Sequence, residues 1–250
     1  LVLVMLEASW RLDQWVQGAV SWDLLPLAAV PVLAGFFIFT LGRKIPWPFA
    51  AYYRDYVTFG MLPVALVLAV WLLLVNTISN GNSQPLPYLP VLNPTDLGSV
   101  FVLIFLLRWR LEFGDWLRRL EFDEAVYFAI VGALAFYWLN GMTLRSVQQW
   151  SGLPFDLSEL LRSRVLQTSL TVLWALCGLG CMLAGTRGEW RRLWIAGAGL
   201  MAVVVFKLFV VDLSGTGTVE RIVSFIGVGL LLLIVGWFSP VPPGGQRSHS

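Results

Sequence analysis

The chain has 250 residues, of which 58% are apolar and 13% charged, against about 45–50% and about 25% in soluble domains, so a water-soluble globular protein is excluded. Its net charge is only +2, and the basic residues sit in short clusters between apolar runs, a distribution that serves membrane topology and argues against a nucleic-acid partner. Cys177 and Cys181 lie one helical turn apart in a single apolar run, a spacing that suits neither a disulfide nor a zinc site.

The chain opens at Leu1 without an initiator methionine, and Leu1 to Leu6 is too short to span a bilayer. It reads as the end of a helix begun upstream, and the chain as the C-terminal fragment of a longer protein. From Glu7 to Asp23 the pattern is polar with Trp10, Trp15 and Trp22, the composition of an interfacial segment. The first span is expected from Leu24 to Gly42, with Pro26 and Pro31 predicting a kink, and Arg43-Lys44 closing it. An aromatic-belt segment follows, with Trp47, Tyr52 and Tyr53, and Val57 to Ile78 is the second span. After it, prolines at 85, 87, 90 and 94 favour extended backbone, and Asn93-Pro94-Thr95 predicts a helix start.

The third span, Asp96 to Trp109, is the shortest, because Arg108 and Arg110 cut its apolar run. Beyond it Trp109, Phe113, Trp116, Leu117 and Leu120 recur at i, i+4, i+7, i+8 and i+11. That spacing predicts one apolar helical face, either on the membrane interface or against the protein's own flank. Ala125 to Leu144 is the fourth span, followed by a connector from Arg145 to Arg164, and Val165 to Ala184 is the fifth. Cys177, Cys181 and Gly185 form a ridge of small side chains along it, which allows close helix packing. Leu193 to Val211, carrying Gly197, Ala198, Gly199 and Ala202, and Ile222 to Phe238 complete seven spans, and residues 239–250 read as a disordered tail. The expected fold is therefore all-α, a single multi-pass transmembrane helical bundle over residues 1–250 with about seven spans and an interfacial amphipathic helix. Sorted by alternate loops, eleven basic residues fall on one side and five, Arg145 among them, on the other, which puts the C-terminus in the cytoplasm. Without the third span the bias disappears.

Three strings, K-L-F-V-V-D-L-S-G, E-R-I-V-S-F-I-G-V-G-L-L-L-L-I-V-G-W and P-L-P-Y-L-P-V-L-N-P, resemble the C-terminal part of a bacterial predicted membrane protein family, domain of unknown function 2339. The likeness covers most of the chain and is densest from Leu160 to Pro243. It implies a long multi-pass protein of the bacterial cytoplasmic membrane and brings no activity with it. Members carry a His pair in the segment matching Arg145 to Trp150, where this chain has Gln148-Gln149, so a role needing imidazole there is not expected.

The candidate site is the charged cluster Lys207, Asp212 and Arg221 around the turn between the last two spans. A lysine inside an apolar run is a functional candidate by default. Two readings stand: the cluster binds an anionic group or relays a proton, or Lys207 snorkels and an ion pair fixes the two helices. Lys207 and Asp212 are about 140° apart on an ideal helix, so a direct pair needs the helix to end between them. S-G-T-G-T before the last span is a weak phosphate cradle and reads better as a flexible turn. Asp156 and Glu159 read as solvated loop charges, and His249, the one histidine, lies in the tail. Asn76, Asn140, Gln167 and Thr168 read as interhelical hydrogen-bonding groups. No catalytic set, metal site or cofactor is expected. The partners are the lipid bilayer and other membrane helices, including those of an upstream part. Two functions remain open: a structural or assembly component of the bacterial cell envelope, or a transporter or lipid-handling protein binding an anionic substrate near the outer leaflet.

Overall fold

A computed structural model of the chain describes residues 2–16, 20–119, 121, 123–152, 157–208, and positions 226, 229, 233 and 236. Regular structure among them is helical throughout, in the order α1 (Val2–Trp15), α2 (Val20–Leu41), α3 (Tyr53–Asp55), a π-helical turn (Tyr56–Gly60), α4 (Met61–Ile78), α5 (Pro94–Arg119), α6 (Glu124–Ser151), α7 (Leu157–Arg162), α8 (Arg164–Arg187) and α9 (Arg191–Lys207). Four stretches are long and apolar enough to cross a membrane: Ser21–Leu41, Tyr53–Ile78, Glu124–Ser151 and Arg164–Arg187. These correspond to the expected first, second, fourth and fifth spans. In α5 the charges Arg108, Arg110 and Glu112 interrupt the apolar run, the described part of α9 is 17 residues long, and the expected seventh span and tail lie outside the described residues apart from those four positions.

The chain divides into two compact units, Leu1–Leu160 and Leu161–Ser250. In the first, α2, α4, α5 and α6 pack around an apolar core in which Leu68, Leu72, Val102 and Phe105 are buried. Phe39 of α2 stacks on Phe105 of α5 at 5.6 Å between ring centroids. Indole N–H groups find acceptors across helices: Trp71 donates to the Leu24 carbonyl at 3.1 Å and Trp109 to the Val57 carbonyl, in the π-helical turn, at 2.8 Å. A buried indole left unpaired would cost about 1–3 kcal/mol, so these bonds also fix the rotation of the helices that carry them.

Three boundaries differ from the expectations. α1 continues through Glu7 to Trp15, because that segment keeps a helical ladder and an i,i+4 Arg11–Glu7 pair. α5 is one uninterrupted helix, with no break between a third span and an amphipathic segment; Trp109 and Phe113 are buried against the protein's own flank and stacked at 4.5 Å. The side chains of Trp116, Leu117 and Leu120 lie outside the described residues. Third, α6 does not end at Leu144 but runs to Ser151. Asp123 caps its start through the Ala125 N–H at 2.9 Å, and Gly152, left-handed at φ 67°, closes it by donating to the Gln148 carbonyl. Arg145 is thereby lifted out of a connector and set inside a helix.

In the second unit α8 and α9 run antiparallel around Met182 and Met201. Their backbones meet closely: a Cβ on Gly197 would lie 2.6 Å from the Gly178 carbonyl oxygen, and one on Gly185 2.7 Å from the Trp194 nitrogen. The ridge of small side chains is thus Gly178, Cys181 and Gly185, one position round the helix from the expected start at Cys177.

Candidate functional site

The start of α5 is set by its sequence. Asn93 precedes Pro94, whose missing N–H would have no helical partner anyway, and the Asn93 Oδ1 accepts the Asp96 N–H at 3.0 Å. Asn93 Nδ2 in turn donates to Asp96 Oδ2 at 2.5 Å, a reciprocal cap in which the third helical residue is an aspartate. Val91, held left-handed at φ 70°, sends its N–H to the same oxygen at 3.2 Å.

The other carboxylate oxygen faces α6. Asp96 Oδ1 accepts from Arg145 Nη2 at 2.5 Å and from Trp138 Nε1 at 3.0 Å. Four donors thus surround one acceptor-only carboxylate in the first turn of a helix, where the backbone dipole favours a negative charge. Arg145 Nη2 also reaches Asn76 Oδ1 of α4 at 2.8 Å. Asn76 passes its own amide protons to the Leu72 carbonyl and to Ser99 Oγ. Arg145 is 1% exposed and Asp96 0%, so this ion pair is shut away from water.

Hydroxyls extend the network sideways. Ser79 Oγ is 2.8 Å from Thr95 Oγ1 and 3.0 Å from Ser21 Oγ, joining α4, α5 and α2 in one buried row. The loop from Asn80 to Leu92 lies over the top. Gly81, at φ 70°, brings its backbone so close that a Cβ there would sit 2.7 Å from Arg145 Cδ. Tyr88 Oη meets Ser146 Oγ at 3.2 Å, Gln149 Nε2 donates to the Asn80 carbonyl, and Trp22 Nε1 donates to the Gln84 carbonyl at 3.0 Å. Burial of the Tyr88 ring, whose hydroxyl meets Ser146 of α6, pushes its phenol up from its ordinary pKa. Nε and Nη1 of Arg145 have no protein partner; a Cβ on Gly141 would lie 3.2 Å from Nη1, so glycine backbone packs directly on that nitrogen.

Just past the end of α2, and about two turns before the end of α5, lies a second charged layer. Glu112, with its side chain 9% exposed, accepts from Arg43 Nη2 at 2.7 Å, from Arg108 Nη2 at 2.7 Å and from Tyr53 Oη at 2.9 Å. Arg110 pairs with Glu124 at the start of α6. From Asp96 to Glu112 is about 24 Å along α5 at ~1.5 Å per residue.

Of the predicted cluster, Lys207 is described, while Asp212 and Arg221 lie outside the described residues, as do the S-G-T-G-T turn, Asp156, the Glu159 side chain and His249. Lys207 sits at the end of α9, and its ammonium reaches across to the start of α8, donating to Thr171 Oγ1 at 2.7 Å and to the Gln167 carbonyl at 3.2 Å. Thr171 Oγ1 gives its own proton to that same carbonyl at 2.8 Å, leaving its lone pairs for the ammonium. Asn76 makes the interhelical bonds expected of it, and the Asn140 amide turns back to Phe136 of its own helix. Sequence reasoning missed the Arg145–Asp96 pair. The available signal was an acidic first turn on one helix and an arginine six residues before the end of its antiparallel neighbour, with Gly152 marking the true helix end. Among the described residues there is no group of three or more His, Cys, Asp or Glu placed to hold a metal.

A family model described as predicted membrane protein (DUF2339) matches residues 1–242, and the chain belongs to that family. No curated protein and no solved structure matches it.

Proposed function

We propose that this member of a predicted membrane protein family is a multi-pass, non-catalytic component of the bacterial cytoplasmic membrane, whose role is structural or in envelope assembly. One observation carries the reading: the charge deepest in the first unit is spent on holding helices together. Arg145 ties α6 to α5 and α4. In the second unit Lys207 likewise joins α9 to α8.

Seven crossings belong to the same proposal. The Arg145 layer holds the starts of α2 and α5 and the last turns of α4 and α6, while the Arg43–Glu112 layer lies just past the end of α2 and about two turns before the end of α5. Their separation of about 24 Å along α5 supports counting α5 as a crossing of a hydrocarbon layer roughly 30 Å thick. The apolar runs Leu193 to Val211 and Ile222 to Phe238, read from the sequence, supply the remaining two. Because Arg145 is buried, it leaves the tally of loop charges, which becomes eleven against four and supports a cytoplasmic C-terminus more strongly. The second reading, an anionic substrate at Lys207, Asp212 and Arg221 near the outer leaflet, has less support, since the Lys207 ammonium already has Thr171 and Gln167.

The test is complementation of a deletion strain with Arg145→Met/Asp96→Leu, which replaces the ion pair by apolar groups. A structural role predicts that the pair restores the phenotype wherever protein level is kept. Loss of function at normal protein level would instead assign the pair to substrate handling.

A further inference from the structure

We infer that the connector between α2 and α3, together with the Glu112 cluster, is a binding site for the phosphate of an anionic phospholipid. The inference rests on the membrane-spanning reading above. Two guanidiniums, Arg43 and Arg108, share the single carboxylate of Glu112, which leaves one positive charge uncompensated. Lys44, exposed beside Arg43, adds a second; Arg54 is also exposed but has Asp55 next to it to offset it. An anion of one or two negative charges is what this cluster lacks.

Arg43 is held in position. The Arg43 guanidinium lies over the Tyr53 ring with Cζ 4.7 Å from its centroid, and Tyr53 Oη holds the same carboxylate oxygen as Arg43 Nη2. Arg43 spends that one nitrogen on Glu112 while its side chain remains 68% exposed, so further donors of the planar fork face outward, and a planar fork suits a phosphate. Around it the connector presents Trp47, 78% exposed, and Tyr52, 54% exposed. Half-wet aromatic rings beside a cation pair are what the headgroup layer selects, since ring and phosphate occupy the same depth. A soluble anion would gain nothing from those rings, and this distinguishes a lipid from free phosphate.

The experiment is native mass spectrometry of the purified full chain in detergent, with equimolar phosphatidylglycerol and phosphatidylcholine of identical acyl chains. Wild-type protein should retain phosphatidylglycerol in preference, and Arg43→Gln/Lys44→Gln should lower that preference by roughly fivefold for each cation removed. Arg191→Gln/Arg192→Gln should keep it. Should the Arg43 variant fail to fold, Lys44→Gln alone, which leaves the Glu112 contacts in place, is read against the same roughly fivefold loss. Equal retention of both lipids, or a preference untouched by these variants, overturns the site. So does displacement of the bound lipid by excess inorganic phosphate, which would mark a soluble ligand. Failure of the protein to enter phosphatidylcholine vesicles at all would instead overturn the membrane-spanning reading beneath it.

Discussion

Arg145 Nη2 lies 2.5 Å from Asp96 Oδ1, and neither side chain is more than 1% exposed. Removing one member of such a pair strands the other charge, at a cost of about 3–5 kcal/mol, whereas replacing both by apolar groups is often close to neutral. Arg145→Met and Asp96→Asn should each therefore destabilise strongly, and Arg145→Met/Asp96→Leu should recover much of the loss. Recovery stays incomplete because Trp138, Asn93 and Asn76 still lose their partner. Unfolding of the purified protein in detergent reads the cycle, and strictly additive losses would contradict the pairing.

Asn93→Ala removes both the cap of α5 and a donor to Asp96 Oδ2. A lost cap alone costs about 0.5–2 kcal/mol, and Asp96 Oδ2, left with only the Val91 N–H, should place this variant at or above the upper end. Asn93→Ser, which keeps an acceptor for the Asp96 N–H, should recover part of the loss in the same unfolding measurement.

Glycines divide by what a methyl would meet. Gly197→Ala pushes its methyl to 2.6 Å from the Gly178 carbonyl oxygen of the facing helix, Gly178→Ala to 2.9 Å from the Met201 side chain, and Gly141→Ala to 2.9 Å from Asn76 Oδ1. Each should cost about 1–3 kcal/mol. Gly199 has nothing within 4 Å of the added carbon, so Gly199→Ala should be neutral or stabilise by about 0.5–1 kcal/mol through helix propensity. Melting temperatures that rank Gly199→Ala with Gly178→Ala and Gly197→Ala would refute the described α8–α9 contact.

Lys207→Met and Thr171→Val both break the same contact, so their effects on protein abundance should overlap and not add. If Lys207 serves a substrate instead, Lys207→Met should leave abundance intact and abolish the cellular phenotype.

Cysteine labelling along α5 gives a direct reading of its rotation. A membrane-permeant thiol reagent should modify a cysteine at Leu111, 73% exposed, far faster than one at Trp109 or Phe113, each 4% exposed. Equal labelling at all three would mean that this face is not packed on the protein's own flank.

Much of the fold was legible because long apolar runs have few physical outcomes. The Asn93-Pro94-Thr95 start also carried through, since caps are local chemistry. The site was less legible for a reason particular to Arg145. A charge at the end of an apolar run ordinarily meets water, so Leu144 looked like a span end. Whether it meets water or a buried carboxylate 49 positions away depends on the pairing of α5 with α6, which local pattern does not encode. Lys207 was found for the opposite reason: a cation within an apolar run is conspicuous wherever its partner lies. That the partners are a threonine hydroxyl and a backbone carbonyl could not be read from composition, because such groups occur in every span.

The order in which the buried pair is made has a consequence for synthesis. Asp96 leaves the ribosome 49 residues before Arg145, about 2–10 s at ~5–20 residues per second. On the membrane-spanning reading, α5 is inserted during that interval with a carboxylate whose guanidinium does not yet exist. Asn93, from the same chain segment, is available to it at once. The reciprocal cap would then act as a chaperone in cis, holding the acid until α6 arrives. Nascent chains arrested before Arg145 should accordingly depend more on Asn93 for protease resistance than the finished protein does, and equal dependence at both lengths would rule this order out.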